Sequence, residues 1–323
     1  MTRSPAPAVP PDTRSTLLLR VEARTQECAD VASLVLVDPH GRELPPWSPG
    51  AHVDVTVTSG TVRQYSLCGD PAEPTGWRIA ILREADGRGG SLRLHDEVGP
   101  GSLLEVGRPR NNFGLVTAPS YLLVAGGIGI TPILAMARHL NATGADWRLL
   151  YAGRTRSRMA LTSEAVALGP VTLHRDDEMG PLPLDAVLGS AEPGTAVYCC
   201  GPEGLLTAVE DLCPSACSLH VERFHPRDTG VDPAAAPFEV VVRSTGTTVQ
   251  VAAGQSILDA LGKAGMNVPS SCREGTCTSC ETGVTEGDVD HRDSVLSDHE
   301  REENTTMMIC VSRSRSPRLV LDL

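Results

Sequence analysis

Four of the ten cysteines stand in a spacing that can do electron chemistry: Cys272-x4-Cys277-x2-Cys280, then 29 intervening residues to Cys310. A C-x4-C-x2-C…C arrangement is the plant-type spacing for a [2Fe–2S] cluster. A short loop must wrap two irons while supplying three thiolates, and a distant fourth thiolate closes the site. Ser270, Ser271, Gly275, Thr276, Thr278 and Ser279 around the triplet are small. They let backbone N–H groups approach the cluster sulfurs, which stabilises the reduced state and tunes the potential. The competing chemistry is a four-cysteine zinc site in a non-enzymatic interaction protein. Zinc ribbons prefer two short C-x2-C pairs, and a triplet with a distant singleton departs from that pattern. The fourth cysteine lies in MMICVSR, which reads as a strand. Cys28, Cys68, Cys199, Cys213 and Cys217 read as small apolar residues, the common fate of a thiol without a partner.

The elements that must position these groups separate into three textures. From about Ser15 to Val116 the chain is strand-like and broken by Gly and Pro clusters. AHVDVTV (Ala51 to Val57) and WRIAILRE (Trp77 to Glu84) both alternate apolar and polar residues, which suggests an antiparallel barrel or sandwich. From Tyr121 strands alternate with helices: YLLVAG, the helix PILAMARHL, then WRLLYAG, VTLHR and TAVYCCG, and a helix from Glu203 to about Leu212. That rhythm predicts a parallel sheet. RFHPRDTGVDPAAAP reads as a linker. Beyond it, FEVVVRS and TTVQVAA form a hairpin, Ser256 to Ala264 a helix, and LVLDL the last strand.

The segment SCREGTCTSCETGVTEGDVDHRDSVLS resembles the C-terminal ferredoxin domain of the phthalate dioxygenase reductase family, which includes the reductase subunits of vanillate O-demethylases. Family members run from a flavin barrel through a pyridine-nucleotide domain to a plant-type ferredoxin, and the three textures follow that order over nearly the whole chain. The resemblance implies a multidomain protein: an antiparallel β-barrel flavin domain (1–117), an α/β parallel-sheet nucleotide domain (118–228), a linker (229–237) and an α+β β-grasp ferredoxin domain (238–323). Cys272, Cys277, Cys280 and Cys310 would hold the cluster.

Arg63, Gln64, Tyr65 and Ser66, in RQYSLCGDP, resemble the family's Arg-x-Tyr-Ser flavin motif: an Arg to clamp a phosphate, a ring to lie on the isoalloxazine, a hydroxyl near N5. GRGGS (Gly87 to Ser91) opens a helix whose N–H groups could cradle an anion. The resemblance gives the FMN phosphate to Gly89, Gly90 and Ser91, and the flavin edge to Ala80, Ile81 and Leu82. GGIGITP follows a buried strand and starts a helix, the context of a pyrophosphate turn, although Pro132 stands where G-x-G-x-x-G has its last glycine. By resemblance Gly127, Gly129 and Thr131 meet the nicotinamide nucleotide. Cys200, Gly201 and Pro202 complete that site, and Phe224 covers the flavin ring. The catalytic positioners expected are therefore Ser66, Thr131, Cys200 and Phe224. Arg154, Arg156 and Arg158 follow the second strand of the parallel sheet with no acid among them, which leans towards the 2′-phosphate of NADPH. The family mostly uses NADH, and the choice stays open.

Length and composition bound the rest. The 323 residues exceed one ordinary domain, and 41% hydrophobic content with 21% charge describes a globular chain able to bury a core. A formal charge of −12 argues against a nucleic-acid binder. A single lysine, Lys263, among 28 basic residues reflects coding bias more than chemistry. Tyr121 to Ala137 is too short and too glycine-rich for a membrane span, and the expectation is a cytoplasmic monomer. From Glu281 to Glu303 nine acids face two arginines, a formal −7. That stretch is either a solvated face or a docking surface for a basic acceptor. The acceptor implied is the oxygenase component of a Rieske-type aromatic oxygenase or demethylase; the alternative is a haem-thiolate monooxygenase.

Overall fold

The structure is a computed structural model that describes residues 16–58, 61–85, 89–226 and 236–323. The linker expected over 229–237 lies outside the described residues as far as 235, as do Gly87 and Arg88 of GRGGS.

The first section folds as seven antiparallel strands: β1 (Thr16–Cys28), β2 (Val31–Val37), β3 (Ala51–Thr58), β4 (Thr61–Ser66), β5 (Gly76–Leu82), β6 (Leu103–Gly107) and β7 (Arg110–Asn111), with helix α1 (Gly90–Glu97) after β5. Hydrogen bonding runs β4-β3-β6-β1-β2-β5, and β7 pairs with β3. Just beyond β4, Leu67 bridges Ile79 and Cys68 N donates to Arg78 O at 2.9 Å, so the two ends of the path meet and the sheet closes. Inward residues at alternate positions, among them Leu19, Val21, Leu34, Leu36, Val53 and Val55, fill the interior, as the period of two requires.

The second section holds five parallel strands: β8 (Tyr121–Gly126), β9 (Trp147–Gly153), β10 (Val171–Arg175), β11 (Ala196–Cys200) and β12 (Ser218–Glu222), in the order β10-β9-β8-β11-β12. Helices α2 (Ile130–Thr143), α3 (Thr162–Leu168), α4 (Asp176–Met179), α5 (Leu184–Gly189) and α6 (Glu203–Leu212) connect them. Four of these strands were legible in the sequence. SLHVE was not, because β12 is an edge strand, only partly buried, and carries three polar residues in five. The order reverses between β8 and β11, and a crevice at such a switch point is where open α/β sheets bind ligands.

The two sections share apolar packing: Val31, Cys68, Ala80 and Phe113 join one core with Leu123, Ile130, Met136 and Tyr151. Arg78 spans the join, meeting Glu27 at 2.7 Å and Glu164 at 2.8 Å, and Tyr198 Oη accepts from Val116 N and donates to Gly114 O.

The third section contains β13 (Phe238–Val242), β14 (Thr247–Val251), α7 (Ile257–Lys263), β15 (Glu281–Glu286), β16 (Val289–Asp290), α8 (Asp298–Glu303), β17 (Thr306–Met308), β18 (Arg313–Ser314) and β19 (Arg318–Asp322). Its main sheet runs β14-β13-β19-β15-β17, with only β13 and β19 parallel. α7, capped by the Ser256 side chain on Asp259 N, buries Ile257, Leu258 and Leu261 against this sheet. That mixed sheet with one packed helix is the β-grasp arrangement expected. Among the described residues no helix is long and apolar enough to cross a membrane.

Candidate functional site

The flavin motif lies on β4, and Arg63, Gln64, Tyr65 and Ser66 all line one cavity of about 610 Å³. β5 contributes Ala80 and Leu82; the intervening Ile81 turns into the barrel core, 1% exposed. Ile81 was expected at the flavin edge, and strand alternation sends its side chain the other way. Gly90 and Ser91 from the start of α1 reach the same cavity, with Gly89 as the left-handed residue before the helix. A Cβ on Gly90 would stand 3.0 Å from Arg63 Cγ and Nε, so glycine here lets the guanidinium lie across the first turn. An arginine beside unpaired helix N–H groups is a phosphate cradle. Thr131 of α2 and Phe224, after β12, close the far wall.

Three buried polar atoms around this cavity carry no hydrogen bond of ordinary geometry: His52 Nε2, Ser66 Oγ and Glu222 Oε2. Buried polar groups are normally satisfied, so their convergence calls for a planar ligand with ring nitrogens and carbonyls. FMN has that form, together with the phosphate that Arg63 and α1 are placed to hold.

The nucleotide loops meet at the carboxyl ends of β8 and β11. A short 3-10 turn, Gly127–Gly129, leads into α2. A Cβ on Gly129 would fall 2.1 Å from Cys200 O, and one on Gly126 2.7 Å from Leu205 Cδ2. GGIGITP and CCGP are thus pressed back to back, with Gly201 and Pro202 leading into α6. Cys200 was expected beside the nicotinamide, but its side chain is fully buried and is not part of the cavity wall. Burial pushes its thiol well up, so it stays neutral. Arg154 follows β9 directly and is exposed with Arg156, while Arg158 pairs with Asp30 at 3.2 Å. None of the three lines the cavity.

The cysteine loop joins α7 to β15. Left-handed residues at Arg273 (φ 59°), Gly275 (φ 72°) and Thr278 (φ 58°) curl it, and Cys272 N reaches Cys277 Sγ at 3.4 Å while Glu274 N reaches Cys272 Sγ at 3.3 Å. Gly275 is required, since a Cβ there would meet Val311 Cγ2 at 2.6 Å. Cys310 was expected on a strand; it lies in the turn just past β17, which ends at Met308. The thiols associate as two pairs. Hydrogen bonding within each pair lowers one thiol and raises its partner: Cys272 falls as Cys277 rises, and Cys280 falls as Cys310 rises. Three thiols on one curled loop and a fourth in the turn after β17 are the donor set that a [2Fe–2S] cluster takes. Among the described residues no three metal-ligating side chains converge on a single point.

Comparison with known proteins agrees with this geometry. Residues 240–315 match the model of the 2Fe-2S iron-sulfur cluster binding domain. Phthalate dioxygenase reductase of Burkholderia cepacia is 41% identical over 317 residues, covering 95% of this chain and 97% of its own. The chain belongs to the phthalate dioxygenase reductase family. Among solved structures, a phthalate dioxygenase reductase described as a modular structure for electron transfer from pyridine nucleotides to [2Fe-2S] matches with TM-score 0.70 at 40% identity, covering 95% of this chain and 98% of its own. An intact type IV self-sufficient cytochrome P450 monooxygenase matches with TM-score 0.89 at 40% identity. It covers the whole of this chain, which corresponds to 43% of that protein.

Within this phthalate dioxygenase reductase fold, the residues that sequence reading missed are His52 and Glu222. Glu222 pairs in register with Cys200 at the end of the missed strand, so no motif drew attention to it. Burial raises Glu222 to about 8, against the opposing pull of the Ser66 hydroxyl, and burial lowers His52 to about 4. Both are therefore neutral at pH 7, one a donor and one a neutral imidazole. The folded value of Glu222 lies above its ordinary value of 4.5. The unfolded chain thus loses this proton first, and the contribution to stability is complete below pH 4.5 and lost as pH rises through about 8. Glu222→Gln is expected to remove that slope from thermal melts. The wild type is expected to lose flavin-reduction rate between pH 7 and 9 in stopped flow, and Glu222→Gln should flatten that fall. A wild-type rate independent of pH over that range would exclude Glu222 as the donor.

Proposed function

We propose that this chain is the reductase component that carries electrons from NAD(P)H through FMN and a [2Fe–2S] cluster to a Rieske-type oxygenase or demethylase. The observation that carries this reading is one wall: Cys272 and Thr276 of the cysteine loop line the same cavity as the flavin motif. When bound, FMN accepts a hydride equivalent from the nicotinamide and releases its two electrons singly to the cluster.

The chain's own residues bind and orient. Arg63 and the first turn of α1 hold the phosphate, Tyr65 and Phe224 bracket the ring, and Ser66 presents its hydroxyl to the ring nitrogens. Thr131, fixed by its bond to Ile128 O at 3.0 Å, stands at the junction of flavin and nucleotide sites. Cys200 acts through its backbone, against which Gly129 rests, and Gly127, Gly201 and Pro202 shape the pyrophosphate crevice. Arg154 is the residue placed to meet a 2′-phosphate. The bounds that fit these roles are 1–117 and 118–228 for the flavin and nucleotide domains and 238–323 for the ferredoxin. The ten unpaired cysteines suit a reducing cytoplasm.

The second reading, a haem-thiolate monooxygenase as acceptor, is favoured by the closer superposition on the reductase part of the self-sufficient P450. The acidic stretch bears on either partner. Asp293 is buried and accepts from Val295 N and Leu296 N, Asp290 is tied to Arg292, and Glu300 closes a capping box with Ser297. Glu281, Glu286, Asp288, Glu302 and Glu303 remain exposed for docking. Reconstitution with a Rieske oxygenase and with a P450 should show NAD(P)H-dependent turnover with the first. Its rate should fall about tenfold or more between 50 and 500 mM salt, as expected for steered encounters between exposed charges. Turnover only with the P450 would replace the first reading by the second.

A further inference from the structure

Asp54 on β3 is the most heavily engaged carboxylate between the barrel and the cysteine loop. Arg110 of β7 grips it with both terminal nitrogens, at 2.8 and 2.9 Å. Gln64 donates to Oδ1 at 3.1 Å, and Ser271 donates to Oδ2 at 2.8 Å across 217 residues of sequence. Gln64 belongs to the flavin motif and Ser271 immediately precedes Cys272, so a single carboxylate is bonded to both cofactor sites. A second bond, Asn112 Nδ2 to Thr278 Oγ1 at 3.2 Å, lies on the far side of the same loop. Both members of the ion pair are largely buried, with side chains 16% and 18% exposed. The Arg110 charge is felt by Cys272 and Cys277, its Nε is buried without a protein acceptor, and its register partner on β3 is His52 of the flavin cavity.

We infer that the Asp54–Arg110 pair is a positioning clamp that seats the cluster loop on the flavin barrel and sets the driving force for electron passage between them. Two physical effects combine. The fork geometry of a bidentate arginine–carboxylate pair fixes orientation as well as distance, so Ser271 and Cys272 are held at the wall of the flavin cavity. A buried cation beside two of the cluster thiolates favours the more negative, reduced cluster, because charge interactions are strong away from water. Asp54 limits this by partly neutralising Arg110, and the balance between the two sets the potential. The inference rests on the reading of the chain as a flavin-to-cluster conduit.

The test uses the full-length holoprotein. Pyridine nucleotide is mixed in stopped flow while flavin and cluster bleaching are followed separately, and the cluster potential is taken from an EPR-monitored titration. In Arg110→Gln the clamp and the charge are both lost: cluster bleaching should slow at least about tenfold relative to flavin bleaching, and the potential should fall by about 59 mV, the one-electron equivalent of tenfold. Arg110→Lys keeps the charge and loses the fork, so the potential should stay near wild type while the transfer slows. Ser271→Ala removes one neutral bond and should slow transfer a few-fold with no change in potential. Should Arg110→Gln fail to retain its cluster, the lysine and alanine variants decide alone. Wild-type transfer rates in both overturn the clamp. A wild-type cluster that never bleaches with either nucleotide overturns the conduit reading instead, so the two failures are distinct.

Discussion

Cys310→Ala is expected to leave a folded yellow protein that still reduces ferricyanide from NAD(P)H but delivers no electrons to its oxygenase. In the proposed relay, Cys310 would supply the fourth thiolate, which the three-cysteine loop cannot. It lies in the turn after β17, 8% exposed, and it is not part of the flavin cavity wall, whereas Cys272 is. A change at Cys272 would disturb both cofactors at once; a change at Cys310 separates them. Alanine is the choice over serine because a hydroxyl oxygen could still ligate iron. The third section has a core of its own, with Phe238, Val240, Ile257, Leu261, Leu319 and Leu321 buried, so it does not depend on metal alone to fold as the smallest metallodomains do. Dye reduction should stay within about twofold of wild type, since no interaction with the nicotinamide is removed. Oxygenase-coupled turnover should fall to background, and the iron–sulfur absorption and EPR signal should vanish. Substantial coupled turnover in a variant shown to lack the cluster would mean that the flavin reaches the partner directly, and the three-site relay would fall.

The parts of this site that were legible in the sequence share one property: their chemistry is local. The cysteine triplet announces itself by spacing, and the Arg-x-Tyr-Ser strand and the glycine turn, weak alone, each place several groups within ten residues, where a family resemblance can pick them out. Strand alternation in Ala51 to Val57 and the helix after Pro132 were legible for the same reason, because hydrophobic period is a local signal. The remainder depended on tertiary register. Glu222 becomes a cavity residue because β12 pairs parallel to β11 and ends level with Cys200, which nothing in SLHVE announces. Asp54 reads in the sequence as an outward polar residue on an alternating strand; the ferredoxin section covers that face and turns it into a junction. Ile81 shows the opposite limit: a run of three residues on a strand offers alternate side chains to the cavity, so Ile81 could meet a flavin only through its backbone. The acidic stretch mixed the two kinds: its net charge was local information, but which carboxylates cap a helix or sit under a loop was not.

Gly129→Ala is expected to have the second largest effect, and on a different half of the reaction. The added methyl would begin 2.1 Å from Cys200 O and 2.4 Å from its carbonyl carbon. Those are backbone atoms at the end of β11, a central strand, so no rotamer change can relieve the clash. Either the Gly127–Gly129 turn or the Cys200–Gly201 segment must move outward, and both border the pyrophosphate crevice. Because a displacement of about 1 Å at reacting groups can cost about 10²-fold in rate, flavin reduction by NAD(P)H should fall by about that factor. Flavin content and the iron–sulfur spectrum should be retained, as Gly129 neither lines the flavin cavity nor belongs to the cysteine loop. Gly127→Ala provides the contrast. There the φ of +54° is strained for alanine, but no atom lies within 4 Å of the new Cβ, so the cost is backbone strain of about 1–2 kcal/mol, without a wedge between the two loops. Gly127→Ala should therefore lower thermal stability more than it lowers flavin reduction, and Gly129→Ala should do the reverse. Equal losses of rate in both would indicate that the turn's backbone conformation, and not the close approach to Cys200, governs nucleotide binding.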